Sequence, residues 1–117
     1  MRLYRRSKAV CIAIVANNKI LILDEPFSAM DLKNQNKTLT LIRNLKKELN
    51  ISVIFTTHNP NHAHAVADKT LILYDDLSYK FGKTDDVLTP SNLTKLYDVR
   101  VESVKFQNKD YLITLFD

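Results

Sequence analysis

Glycine is almost missing from this chain: Gly82 is the only one in 117 residues, where average usage of about 7% would give roughly eight. Glycine lets successive backbone amides close around a phosphate, because a Cβ obstructs the positive-φ turns such a cradle needs. A single glycine cannot satisfy G-x-x-x-x-G-K-[ST]. Gly82-Lys83-Thr84 has the tail of that pattern, but Leu77 stands where its first glycine would be. No phosphate cradle is encoded. Cysteine is as scarce: the lone Cys11 excludes an intrachain disulfide and fits a reducing compartment. It sits in an apolar run, the usual place of a packing thiol.

Long hydrophobic runs are absent too. "AVCIAIVA", after the basic "MRLYRRSK", has eight residues, too few to span a bilayer. The pair has the outline of a secretory signal, but it leads directly into a strand ending in carboxylates, and a buried or amphipathic helix is the expectation. Charge of one sign is not spread over the chain either. The net charge is +4, yet Arg2, Arg5, Arg6 and Lys8 supply four of the 17 basic groups, leaving 13 against 13 acidic residues. Without a basic stripe or an aromatic stacking platform, a nucleic-acid partner is not expected. No internal repeat or low-complexity tract interrupts what is sized as one domain.

What is present is an α/β pattern. A helix is expected from about Arg5 to Ala16, ending at Asn17-Asn18. Ile20 to Leu23 is a continuous apolar run, as in a strand buried on both faces of a parallel sheet. From about Leu32 to Leu49, the stripe Leu39, Ile42, Leu45 and Leu49 marks a helix. "ISVIFTT", Ile51 to Thr57, is a β-branched strand; Asn59-Pro60 opens a short helix, and "TLILY", Thr70 to Tyr74, is a third strand. This strand–helix alternation predicts a parallel sheet with crossover helices. Beyond the turn at Asp75-Asp76, a short strand over Ser78 to Gly82, a helix opened by Thr89-Pro90, and a β-hairpin around "QNKD" complete the chain.

The chemistry concentrates in "KILILDEPFSAMD", Lys19 to Asp31. Residues at the C-terminal end of a parallel strand open into the crevice where α/β sheets bind ligands. Adjacent side chains there point in different directions, so Asp24 and Glu25 need not share one role. One carboxylate can hold Mg²⁺ while the other faces an attacking water. For two carboxylates alone, a polar strand end explains as much. Three histidines, His58, His62 and His64, fall within seven residues. Their spacing does not give three ligands on one helix face, so a metal site is not expected from them, and His62 and His64 are read as helix-surface residues.

"LILDEP-x-S-A-x-D" resembles the Walker B motif and D-loop of ATP-binding cassette ATPases, the engines of ABC transporters. "VIFTTHNPNHAHAVADKTLIL" is similar to the next strand and H-loop histidine of that family, at the appropriate distance. "FGKTDDVLTPSNLTKLYDV" is similar to the ATPases that power uptake of iron–siderophore complexes, haem and cobalamin, with Asp98 where glycine is usual. The resemblance implies ATP and Mg²⁺ as cofactors. Asp24 would coordinate Mg²⁺, Glu25 would be the general base, and His58 would contact the γ-phosphate. Ser28 and Asp31 would be the cofactor-facing residues of the D-loop. Phe27 and Met30 replace the family's usual threonine and leucine.

The resemblance also implies what is missing. "RRSKAVCIAIVANN", within residues 5–18, stands where the helix after the signature motif should be, with no glycine before it. The phosphate loop, adenine-stacking aromatic, glutamine lid and signature would all lie upstream of Met1. The expectation is therefore the C-terminal half of a P-loop ATPase fold: signature-helix remnant over 5–18, Walker B and D-loop over 19–31, H-loop region over 51–74, C-terminal helix and hairpin over 77–117. Such a chain would be inactive alone, and prone to self-association through its uncovered sheet. Its partners would be an N-terminal ATPase half or an intact ATPase subunit, within the family's ATPase dimer. Membrane subunits would be engaged indirectly, from the cytoplasmic face. The competing reading is a non-catalytic remnant or binding module that pairs with an intact subunit.

Overall fold

The computed structural model describes residues 20–116, so the helix expected over 5–16 and Cys11 lie outside the described residues. The chain divides between His58 and Asn59 into two compact units.

In the first unit, β1 (Ile20–Leu23) leads through a loop to α1 (Leu32–Glu48), which returns the chain to β2 (Ser52–Phe55). β1 and β2 pair in parallel, Leu21 opposite Val53 and Leu23 opposite Phe55. Ile42 and Leu45 of α1, with Leu21 and Leu23, are buried to 2% exposure or less. Removing four such side chains from water, at about 1.5–3 kcal/mol each, is the main local stabilisation. The opposite face of the pair differs from expectation. Ile20, Ile22 and Ile54 are more than half exposed, because strand side chains alternate and the described residues supply a helix to one face only.

The boundaries of α1 follow from its end residues. Asp31 caps its N-terminus, its carboxylate accepting the Asn34 N–H at 2.8 Å. Lys46 and Lys47 occupy the last turn, where cations oppose the helix dipole. Asn50 turns left-handed at φ 52°, and the Ile51 N–H returns to the Leu45 carbonyl at 3.1 Å, a left-handed turn that closes the helix end. Leu49 therefore falls beyond the stripe and is exposed.

In the second unit, α2 (Pro60–Val66) precedes the hairpin of β3 (Lys69–Leu73) and β4 (Tyr79–Lys83). α3 (Thr84–Val87) and α4 (Pro90–Tyr97) then lead to a second hairpin, β5 (Arg100–Phe106) and β6 (Lys109–Leu115). Parallel pairing is confined to β1 and β2 among the described residues. β3, expected as a third parallel strand, is hydrogen-bonded antiparallel to β4. The core collects Ala63, Ile72, Tyr74, Val87, Leu88, Leu93, Val101 and Leu112. The β5–β6 turn is tighter than "QNKD": Gln107 and Asn108 alone form it, both at positive φ (51° and 64°). That is the type I′ geometry whose twist matches a two-residue hairpin.

Two details bear on the sequence reading. Gly82-Lys83 belongs to β4, and the Thr84 hydroxyl is buried, donating to the Ala67 carbonyl at 2.8 Å and lying 2.9 Å from the Thr70 hydroxyl. Thr84 thus serves packing, while Lys83 is exposed. His62 corrects an expectation: it is buried, not a surface residue, because the inward face of α2 carries it with Ala63 and Val66. Burial lowers its pKa. His64 is half-exposed, 3.7 Å from the Asp85 carboxylate.

Candidate functional site at the end of the parallel strand pair

Where β1 stops, the chain makes a turn that its sequence resists. Glu25 takes a left-handed conformation, φ 47°, immediately before Pro26, although a residue preceding proline is driven toward extended backbone. Several contacts hold it there. The Ser28 N–H donates to the Glu25 carbonyl at 3.1 Å, and the Met30 N–H to that of Phe27 at 3.2 Å. Pro26 and Phe27 are buried, with the Phe27 ring edge-on to Phe55, centroids 5.7 Å apart. Phe27 thus fastens the loop to β2.

Parallel pairing brings the end of β2 alongside. The Thr56 N–H donates to the Leu23 carbonyl at 3.1 Å. The Thr56 hydroxyl accepts from the Glu25 N–H at 2.8 Å and donates to Asp24 Oδ1 at 3.0 Å. Two residues on, His58 Nε2 contacts Glu25 Oε1 as an ion pair. The Glu25 carboxylate is about 39% exposed and the His58 ring 90%, so this pair meets in solvent and contributes little to stability by itself. Its interest is in the juxtaposition: two carboxylates, an imidazole and a hydroxyl gather at the mouth of two parallel strands.

Asp24, Glu25 and His58 are therefore brought together. Asp31 is engaged in capping α1, and Ser28 is an exposed residue of the loop's turn. Thr56 was missed by sequence reasoning. Its signal was available only through register: with Leu23 opposite Phe55, residues 24 and 56 are the next pair along.

The Mg²⁺ expectation can be tested on the donor set. Among the described residues, no group of three or more His, Cys, Asp or Glu side chains is placed so that it could hold a metal ion by itself, so an all-protein cage is not found among them. Mg²⁺ is commonly held by one or two carboxylates, several waters and substrate phosphates. Asp24 is exposed and anchored through one oxygen, with a second to offer. The residues fit that mode. Among the described residues, no helix is long and apolar enough to cross a membrane.

No family model matches the chain. Individual proteins do. It is 42% identical over 104 residues to a molybdate import ATP-binding protein, MolC, of Haemophilus influenzae, a match covering 89% of this chain and 41% of that protein. It is 33% identical over 93 residues to a hemin import ATP-binding protein, HmuV, of Burkholderia ambifaria, covering 80% of this chain and 34% of that protein. A solved structure of a metal-chelate type ABC transporter in an inward-facing conformation superposes with a TM-score of 0.85 at 37% identity, over 92% of this chain and 44% of the other. The chain thus spans about two fifths of the length of the relatives it matches.

Proposed function

Since the chain belongs to the ATP-binding proteins of ABC transporters, we propose that it supplies the water-activating half of an importer's ATPase site, of the iron–siderophore, haem and cobalamin type. In this reading residues 1–117 belong to one domain and carry Walker B, D-loop and H-loop. Glu25 is the general base that orients and polarises the attacking water. His58 contacts the γ-phosphate, and Asp24 is the carboxylate that holds Mg²⁺. When bound, Mg²⁺ supplies charge neutralisation on the phosphate oxygens. Ser28 and Asp31 lie on the D-loop surface that would face the second nucleotide site of an ATPase dimer.

The observation that carries the proposal is the contact between His58 and Glu25 beside Asp24. A general base must sit within reach of the water it activates and be held there by a partner. The His58 imidazole does that for Glu25, and both flank the place a terminal phosphate would occupy if Asp24 held its cation. The phosphate-holding groups are another matter. With Gly82 committed to a strand and no second glycine, nothing in these residues cradles a triphosphate. Phosphoryl transfer rests on that positioning, so the chain by itself does not turn ATP over at a meaningful rate. Its ATPase partner supplies the phosphate loop and signature, and the membrane subunits are reached through that partner at the cytoplasmic face.

The test is reconstitution. The chain is co-expressed with the portion of the Haemophilus molybdate relative that it does not cover, and ATP hydrolysis is measured. The expected result is activity above that of either piece, lowered at least about a hundredfold by Glu25→Gln, since loss of the base removes a contribution of about 10²–10⁴. No gain with this or any other supplied half, or a gain indifferent to Glu25→Gln, sinks the catalytic reading and leaves a non-catalytic module.

A further inference from the structure

Asp24 and Glu25 both lie past the last residue of β1, so the strand itself fixes neither. One hydroxyl reaches both. A threonine side chain has a single hydrogen to give and lone pairs to receive. Thr56 receives the Glu25 N–H at 2.8 Å and gives its hydrogen to Asp24 Oδ1 at 3.0 Å. Because one lone pair is taken by an amide that cannot rotate, the hydroxyl has a preferred direction, and that direction is the carboxylate. The same amide belongs to the residue held left-handed before a proline, a conformation that persists only where its surroundings over-determine it. Thr56 is itself fixed by its N–H bond to Leu23. It therefore joins the ends of both strands to the Asp24 carboxylate and to the Glu25 backbone.

We propose that Thr56 is a positioning residue: its hydroxyl sets the Asp24 carboxylate for a divalent cation and holds the Glu25 backbone in the turn that presents its carboxylate to His58. The inference rests on the metal role of Asp24 proposed above and extends it to a residue that touches neither cation nor phosphate. Mg²⁺ demands near-ideal geometry from each ligand. Groups that orient a metal ligand through a hydrogen bond are typically worth about 10–100-fold in metal affinity. Thr56→Val keeps the β-branched shape suited to the strand end and removes only the hydrogen-bonding capacity. Thr56→Ser restores it.

The experiment uses the full 117-residue chain with Mn²⁺ alone as the probe, read by paramagnetic broadening of the amide signals of residues 24 and 25. Hydrogen exchange of the Glu25 amide is followed in the same samples, and urea midpoints are recorded. The expected result is that wild type and Thr56→Ser broaden at similar Mn²⁺ concentrations, while Thr56→Val needs about tenfold more. The Glu25 amide should exchange at least severalfold faster in Thr56→Val only. A Thr56→Val chain that is less stable in urea but broadens like wild type would make Thr56 a structural tie and overturn the proposal. So would an unchanged Glu25 exchange rate. If wild type shows no broadening at residues 24 and 25 that Asp24→Asn removes, the metal role of Asp24 is what fails, and the cation half of the proposal with it. Unchanged broadening in Thr56→Val against a responsive wild type faults Thr56 alone.

Discussion

Asn61, the second residue of α2, holds the C-terminal hairpin by imitating a strand. Its Nδ2 donates to the Leu112 carbonyl at 3.0 Å, and its Oδ1 accepts the Leu112 N–H at 3.2 Å. The need for such a partner follows from hairpin register. In a two-residue hairpin the pair flanking the turn, Phe106–Lys109, exchanges hydrogen bonds, and the pairs alternate from there. Ser103–Leu112 is then a pair whose groups point away from each other, and those of Leu112, a residue only 7% exposed, need another acceptor and donor. Asn61→Ala removes two hydrogen bonds worth about 1 kcal/mol each and leaves two backbone groups unmet, so the loss should be about 2–3 kcal/mol. With a urea slope of about 1 kcal/mol per M, the midpoint falls by about 2 M. Equilibrium urea titration measures the total, and hydrogen exchange at the Leu112 amide localises it. Asn61→Asp separates the two bonds. It keeps the acceptor for the Leu112 N–H but sets a carboxylate oxygen against the carbonyl, so the amide stays protected while stability still drops. An Asn61→Ala loss below about 0.5 kcal/mol with the Leu112 amide still slow would refute the reasoning, since water would then be replacing both bonds at no cost.

Two smaller tests concern groups the site does not use. Asp98 closes α4 in the left-handed region, φ 55° and ψ 35°, its N–H donating to the Thr94 carbonyl. Asp98→Gly should therefore raise stability by about 0.5 kcal/mol, the relief of about 1 kcal/mol of Cβ crowding partly offset by a more mobile unfolded chain; a thermal melt that moves down instead contradicts this. His62 has its pKa lowered by burial below its ordinary 6.5, so the folded state disfavours the charged form and the unfolded chain binds more protons in the window beneath 6.5. Its contribution is thus neutral above that pH, becomes destabilising as pH falls through it, and levels off below the folded pKa. The urea midpoint of wild type should drop more than that of His62→Gln between about pH 7.5 and 5.5, and parallel pH profiles for the two proteins would exclude His62 as the source.

How much of this was legible depended on whether a feature is local or cross-strand. The run Ile20 to Leu23 and its terminal carboxylates are local, and β1 and the loop sit where that pattern places them. The same holds for α1, whose stripe puts Ile42 and Leu45 inside, whereas the capping role of Asp31 was not read from the sequence. Burial was less legible, because it is decided by what covers an element. β1 reads as apolar on both faces, yet the described residues cover only Leu21 and Leu23. β3 reads like β1, yet its hydrogen-bonded partner is the strand directly after it, since a short turn at Asp75-Asp76 makes an antiparallel return the nearest pairing. His62 was read as a surface residue by its polarity, although its i, i+4 relation to Val66 places the two on one face. Of the site, Asp24, Glu25 and His58 were legible as residues; that Thr56 joins two of them required strand register.

The scarcity of glycine and the geometry of the site are linked by backbone strain. Glu25, Ala29, Asn50, Leu77, Asp98, Gln107 and Asn108 adopt positive φ, and Gly82 does not. Five of these act as punctuation: Asn50 and Asp98 end helices, Gln107-Asn108 turn a hairpin, and Leu77 sits in the β3–β4 turn. At such places glycine would serve as well or better, at about 1 kcal/mol less strain than a residue bearing a Cβ. Glu25 is different in kind. Its left-handed turn before Pro26 would also be easier for glycine, but glycine has no carboxylate to set against His58. The strain therefore cannot be relieved there without losing the carboxylate that meets His58. It is offset by contacts that converge on this one residue: the Thr56 hydroxyl on its N–H, Ser28 on its carbonyl, and buried Pro26 and Phe27 beyond it. Ala29 also takes a positive φ in this loop (59°), yet these contacts gather on Glu25. Their convergence argues that the direction of the Glu25 side chain is what the loop is built to fix.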